Sequence, residues 1–329
     1  MPNALENLMA KWRRLAAGAL PDGPFASRLI GRPLFIRARG RAPLPPGDPG
    51  ADLSDYFFSL NARDWSDLER RCVDKEKAKA VAKSLCPRVQ VSPTLAVLRV
   101  KPWTSLRQVE KFLAPHLGKT RVAKTAHGSG NGVLLDRVKP GQIKRLYRAA
   151  RRDYFFTNGE RQYRGLEKKI LVEPSLAPRG EAPPTDYRFF CTRGQAWFGA
   201  ADAGRFVDLR EYHFTVPDFT PVYIQTHGNL PDRVPARPAG FREMVKIAEA
   251  LSKPFEFVRV DLYKTTKGIF FGEFTFTPMA GIFHLSNPQI ARWLLRKALN
   301  PGNHLEFKRE WRARAPKRPA RVEFPRRVR

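Results

Sequence analysis

Between Phe257 and Pro278 the chain reads FVRVDLYKTTKGIFFGEFTFTP, and apolar and polar positions alternate along it. Val258, Val260 and Leu262 fall on one face, and Arg259, Asp261 and Tyr263 on the other, which predicts a strand. After a Lys-Thr-Thr-Lys-Gly turn, a second strand puts Glu273 and Thr275 on one face. A longer period marks helices. Phe241, Met244, Ala248 and Leu251 share one side of a predicted helix over Phe241–Leu251. Further helices are expected near Leu68–Leu85, Leu106–Leu117 and Gln142–Arg152, with a loop over Tyr154–Tyr163. Lys169-Ile-Leu-Val-Glu173 has the unbroken apolar run of a buried strand ending in an acidic residue. Val122, Lys124 and Ala126 alternate as another strand that runs into Gly128, Gly130 and Gly132.

These patterns place chemistry. If the two strands of the first segment pair, Asp261 and Glu273 come within cross-strand reach. Two carboxylates that close repel unless a cation sits between them, and Mg²⁺ takes carboxylate oxygens together with substrate phosphates. Arg259, on the same face, suits a transferring phosphoryl group. The alternative is an exposed hairpin face with ordinary charges. The glycines after Lys124 let backbone N–H groups approach a polyphosphate. Their spacing is neither that of a Walker loop nor that of a dinucleotide fingerprint.

The order of these motifs resembles the ATP-grasp superfamily and, more narrowly, the TupA-like ATP-grasp family associated with teichuronopeptide and polysaccharide biosynthesis. The resemblance is carried by Val73-Asp-Lys75, Lys124-Thr-Ala-His127-Gly-Ser-Gly130, Gly159-Glu-Arg-Gln-Tyr163 and Ile170-Leu-Val-Glu173. It continues through Asp186-Tyr-Arg-Phe-Phe190, Arg259-Val-Asp261 and Gly272-Glu-Phe-Thr-Phe276, from about Leu53 to about Leu299. It implies an α/β (α+β) ATP-grasp fold, with ATP and Mg²⁺ held between a small lid lobe and a metal-bearing lobe. Lys75, on an early helix, and Lys124 would hold the α- and β-phosphates. Gly128, Ser129 and Gly130 would close over the β- and γ-phosphates. Glu173 would be the acidic residue beside the adenine, and Asp186 would contact ribose or adenine. Asp261 and Glu273 would bind Mg²⁺, and Arg259 would meet the γ-phosphoryl group or an acyl phosphate. Many ATP-grasp ligases carry Asn where Thr275 stands, a departure that the TupA-like proteins share; a hydroxyl is a weaker Mg²⁺ ligand. His127 is either a catalytic acid or a local hydrogen-bond partner of the glycine turn. Arg205, Arg210 and His213 either bind an acidic substrate or decorate a surface loop.

The resemblance implies an ATP-dependent carboxylate–amine ligase that works through an acyl phosphate on an acidic glycan, amino acid or uronic acid. A sugar phosphotransferase and a non-enzymatic polyanion-binding protein are the alternatives. Residues 53–299 would form the catalytic domain, divided at 119 and 190 into a first lobe, a lid and the metal-bearing lobe.

Composition changes this picture at the ends. Of 329 residues 42% are apolar, ample for a core. Lys and Arg number 60 against 31 Asp and Glu, a net charge of +29. Leu5–Leu15 has the pattern of a basic amphipathic helix, Pro21–Gly50 that of a Pro/Gly-rich linker, and residues 300–329 that of a basic, disordered tail. Basic ends favour an anionic partner such as polysaccharide or the inner membrane face, and Arg-rich coding bias accounts for part of the excess. Nucleic acid is not the expected ligand. The amino terminus lacks a signal-peptide core and no apolar run is long enough to cross a bilayer. Cys72, Cys86 and Cys191 have no zinc spacing. A cytoplasmic protein, with room for peripheral attachment at the inner membrane, is expected.

Overall fold

The computed structural model describes residues 4–177, 184–203, 210–222, 236–282 and 287–302 of the chain. The amino-terminal region is a pair of packed helices, α1 (Ala4–Ala19) and α2 (Pro24–Arg39). The expected linker therefore contains a helix. Pro24 stands in its first turn, where the missing N–H costs nothing, and Gly40 ends it in the left-handed region. Between those signals Ala26, Ile30 and Phe35 form an apolar stripe that is buried despite Pro33. Gly31 lets the helix approach the rest of the fold closely: a Cβ there would lie 3.0 Å from the Asn158 carbonyl oxygen.

Helix α3 (Leu53–Leu60) starts at a capping box made by Asp52 and Asp55. Arg39 pairs with Asp52 and Arg41 pairs with Asp55, tying α2 to α3. The single helix expected over Leu68–Leu85 is two, α4 (Asp67–Val73) and α5 (Lys77–Leu85). The break falls at Asp74, whose Oδ1 accepts from the Glu76 N–H, a local bond that competes with helix continuation.

Two sheets follow, and they do not respect the expected lobe boundaries. A four-stranded sheet has the order β2 (Ala96–Arg99), β5 (Lys169–Pro174), β3 (Arg121–Thr125), β4 (Val133–Leu134). Helices α6 (Leu106–Leu113) and α7 (Gln142–Arg151) pack on it through Val109, Leu113, Leu146 and Ala150. The region between, expected as loop, contains a short helix α8 (Phe155–Asn158) and a turn of 3₁₀-helix over Arg161–Tyr163. The second sheet has seven strands in the order β1, β11, β10, β6, β7, β8, β9. These are β1 (Gln90–Val91), β6 (Asp186–Thr192), β7 (Gln195–Ala203), β8 (Arg210–Thr215), β9 (Pro221–Val222), β10 (Phe257–Thr265) and β11 (Gly268–Thr275). Strand β2, from the expected first lobe, thus lies in the small sheet, and β6, from the expected lid, lies in the large one.

The large sheet is covered unequally. Helix α9 (Phe241–Ser252) lies on one face, with Phe241, Met244, Ala248 and Leu251 buried against Val258, Val260 and Leu262. On the other face α3 and α10 (Pro288–Leu299) bury Phe57 and Trp293 against Phe190, Trp197 and Phe257. Side chains alternate along a strand, so Phe257, Arg259, Asp261 and Tyr263 share this second face. One end of that face is apolar and covered by helices. The other end carries the charges and borders a cavity.

Candidate active site

The cavity lies between the two sheets and has a volume of about 790 Å³, within the range of small-molecule sites. The small sheet contributes Val122, Lys124 and the loop Gly128–Gly132; the large sheet contributes Asp186, Arg188, Arg259, Glu273 and Thr275.

The β10–β11 hairpin carries its charges in the closest register. Asp261 lies directly opposite Glu273, and Arg259 opposite Thr275. The turn is shorter than the sequence predicts: β10 continues to Thr265 and β11 begins at Gly268. Arg259 grips Asp261 with both arms, Nε to Oδ1 at 2.7 Å and an NH2 to Oδ2 at 2.6 Å. The same NH2 donates to Thr275 Oγ1 at 3.0 Å and lies 3.6 Å from Glu273 Oε1. Glu273 Oε2 takes Lys75 Nζ at 2.7 Å. Burial, opposed by Arg259 and reinforced by Asp186 and Glu273, pushes the Asp261 carboxyl up to about 7. Asp261 also stands opposite Arg188 of β6, which pairs with Asp202 and lies 3.4 Å from Asp186. A row of side chains of both charges thus spans β11, β10, β6 and β7.

Across the cavity, Glu173 is not a free acceptor. Its carboxylate sits between Lys79 at 2.7 Å and Lys124 at 2.8 Å and is almost fully buried. Burial lowers the Lys79 pKa although Glu173 opposes the shift. Lys75, expected on a helix, stands in the α4–α5 connection, where its N–H donates to the Ala126 carbonyl oxygen at 2.9 Å. That bond ties the Lys75 backbone to the segment leading into the glycine loop, while its side chain reaches Glu273 of the β10–β11 hairpin. Beneath them Lys169, fully buried, pairs with Asp74 at 2.7 Å and Glu76 at 2.6 Å. The chain gave no periodic signal for Lys169, since the charge interrupts an apolar run at its first position.

The glycine loop has the features of a phosphate cradle. A Cβ on Gly128 would lie 3.1 Å from the Tyr154 ring, and Gly130 takes a φ of +73°, which L side chains rarely adopt. Ser129 and Gly130 are exposed and line the cavity. The remaining expected residues lie elsewhere. His127 is 2% exposed, is not in the cavity wall, and its Nδ1 accepts the Lys169 N–H at 3.3 Å; burial lowers its pKa. This placement keeps His127 out of the cavity wall, and its bond reaches the distant backbone of β5 and not the glycine turn. His213 stacks on Phe198 in β8, with ring centroids 5.5 Å apart, and like Arg210 is not in the cavity wall. Both lie on a strand, not on the surface loop weighed as their alternative. Arg205 lies outside the described residues.

The donor set fits Mg²⁺ in kind: two opposed carboxylates with a hydroxyl two positions on. Among the described residues no three His, Cys, Asp or Glu side chains group as a metal site. Mg²⁺ is commonly held by one or two carboxylates plus substrate phosphates. Asp261 would have to release part of its grip on Arg259 to act as a ligand. Lys75, Lys124 and the glycine loop line the cavity and fit a polyphosphate in charge.

Several solved structures are similar to the chain at low identity. D-alanine–D-alanine ligase from Bacillus anthracis, solved in complex with ATP, is 11% identical, with 63% of this chain and 54% of that one covered and a TM-score of 0.34. The D-alanine–D-alanine ligase from Coxiella burnetii is 14% identical, with 74% and 61% covered and a TM-score of 0.37. VanG D-Ala:D-Ser ligase from Enterococcus faecalis is 14% identical, with 63% and 54% covered and a TM-score of 0.35. The chain thus spans about half the length of the first of these. No curated protein matches it. The model of the TupA-like ATP-grasp family matches residues 60–297, which include the hairpin, the glycine loop and both lysine positions. The chain belongs to the TupA-like ATP-grasp family.

Proposed function

We propose that the protein is an ATP-dependent, ADP-forming carboxylate–amine ligase acting in the synthesis or modification of an acidic cell-surface polysaccharide or glycopeptide. One observation carries this reading: Arg259, Glu273 and Thr275 of the hairpin, with Asp261 buried behind Arg259, stand opposite Lys124 and the glycine loop at one cavity large enough for a nucleotide. ATP supplies the phosphoryl group that turns a carboxylate oxygen into a good leaving group, and Mg²⁺ supplies charge neutralisation. The chain's own residues do the rest. Lys124 and Lys75 bring positive charge to the phosphates, from the small sheet and from the helix connection. The glycine loop covers the phosphates and excludes water. Arg259 holds Asp261 in place and offers its guanidinium to the reacting oxygens. Positioning and charge account for most of the rate in such transfers.

The basic ends support an anionic polymer or membrane surface as the partner, and Trp12 and Phe25, at 64% and 69% exposed, add apolar contact to that charge. Among the described residues no helix is long and apolar enough to cross a membrane. The testing experiment is an ADP-release screen of purified protein with amino acids and uronic acids, alone and in pairs. ADP release that requires both a carboxylate and an amine is expected. A stable phosphorylated product formed without an amine would overturn the ligase reading in favour of a phosphotransferase. Calorimetry that found no Mg²⁺-dependent ATP binding at millimolar ATP would overturn both.

A further inference from the structure

One carboxyl in the cavity wall takes no part in the arrangement above. Glu160 is 5% exposed and lines the cavity. Among the described residues it forms no ion pair with a lysine, arginine or histidine. Its Oε1 accepts from Thr277 Oγ1 at 2.6 Å, and that oxygen accepts from Gln162 Nε2 at 2.6 Å. Gln162 can only donate through Nε2, so the threonine proton is committed to Glu160 and the carboxyl is held as an acceptor. Burial pushes this carboxyl up to about 7, with Thr277 and Asn158 resisting by hydrogen bonds. Beside it stand Tyr154 and Tyr163, edge to face with ring centroids 4.9 Å apart, both in the cavity wall. Glu160, Tyr154 and Tyr163 line the same cavity as Glu273 of the hairpin.

A buried carboxylate is costly without a cation, and aromatic walls complement an ammonium group. They offer no ligands to Mg²⁺, which keeps an oxygen octahedron. We propose that Glu160, with Tyr154 and Tyr163, forms the subsite for a primary ammonium group and takes its proton before it attacks. The inference rests on the ligase reading and adds the class of the second substrate, a primary alkylamine. In the step, one N–H proton passes to a Glu160 oxygen and leaves the nitrogen lone pair free. That pair forms the C–N bond at the acyl phosphate carbonyl. The C–O bond to phosphorus breaks, and its electrons leave with inorganic phosphate. The second nitrogen proton is lost to solvent as the amide forms.

Calorimetry on the full-length chain tests the site without turnover, with ethylamine hydrochloride, ethanol as the uncharged shape match, and MgCl₂. Wild type is expected to bind ethylammonium in preference to ethanol, and Glu160→Gln to weaken ethylammonium by about tenfold or more. No preference in the wild type overturns the proposal and needs no variant. A Glu160→Gln change that weakens MgCl₂ but not ethylammonium also overturns it and makes Glu160 a metal ligand. At turnover the amine found in the ADP-release screen is compared with hydroxylamine, which is neutral at physiological pH and needs no proton acceptor. In Glu160→Gln the ratio of amine to hydroxylamine turnover should fall on the order of 10²-fold. An equal loss with both nucleophiles overturns the proton transfer. Absence of carboxylate-dependent hydroxylamine turnover in the wild type overturns the ligase reading itself, and the ammonium site is then decided by calorimetry alone.

Discussion

At the scale of single residues, the same side chains do electrostatic and structural work. Glu273 is 28% exposed and reaches the cavity, whereas Asp261 is buried under Arg259. The two should therefore respond differently to loss of charge. Glu273→Gln should reduce ADP release by on the order of 10³-fold, the loss expected for a Mg²⁺ ligand, with little change in melting. Asp261→Asn should show the same kinetic loss and also destabilise the fold by about 3 kcal/mol, because it leaves a buried guanidinium without its bidentate partner. Steady-state kinetics and denaturant melts of both variants check this; normal turnover in Glu273→Gln would make the hairpin structural. Lys169 makes a parallel case away from the chemistry. It is fully buried between Asp74 and Glu76, so Lys169→Met strands the buried Asp74 and should cost about 3–5 kcal/mol. Urea unfolding measures that loss. A neutral result would mean that the buried pair adds nothing to stability.

At the scale of elements, the hairpin was readable because β10 alternates with a period of two and β11 does so on either side of a bulge at Gly272. The helix α2 was not, because Pro24, Pro33 and Gly31 read locally as linker chemistry. Tertiary contact overrides that reading: Phe35 is fully buried and packs on Phe58 at 4.8 Å between ring centroids. Phe35→Ala should cost about 3–5 kcal/mol if α2 belongs to the folded body. A melt that leaves stability unchanged would return residues 24–39 to the status of a linker. The split of α4 from α5 has a similar origin. Their periodicity runs on, but the Asp74 side chain satisfies the backbone of the next turn and ends the helix, which frees Lys75 to point at Glu273.

At the scale of the whole molecule, charge and architecture separate. The described fold holds the cavity between two sheets, while the basic segment after Asn303 lies outside the described residues. Its Arg- and Pro-rich composition offers little to bury, and its charges can gather a polyanion near the cavity. A truncation ending near Asn303 should keep kcat on a small substrate and lose apparent affinity for an acidic polymer at low salt, a difference that added salt should erase. Unfolding on truncation would show that the tail is part of the core. Unchanged polymer affinity at low salt would make the charge excess a matter of composition.

The sequence by itself determined what depends on neighbours along the chain. Alternation from Arg259 to Thr275, the glycines after Lys124 and the stripe on α9 each follow from backbone geometry over a few residues. With them came Asp261 and Glu273 within cross-strand reach, but their direct opposition depends on a one-residue bulge between Leu262 and Asp261 that shifts the register set by the turn. Other features were decided only when distant segments met. Lys79 and Lys124 are 45 positions apart and are joined by Glu173; Glu160 and Thr277, 117 apart, share one proton. No local period encodes such pairs, since burial against another element fixes which charge a side chain meets. The same holds for the assignment of β2 and β6 to different sheets. A strand's pattern shows which residues face a core, but its partner is set by the packing of the whole chain.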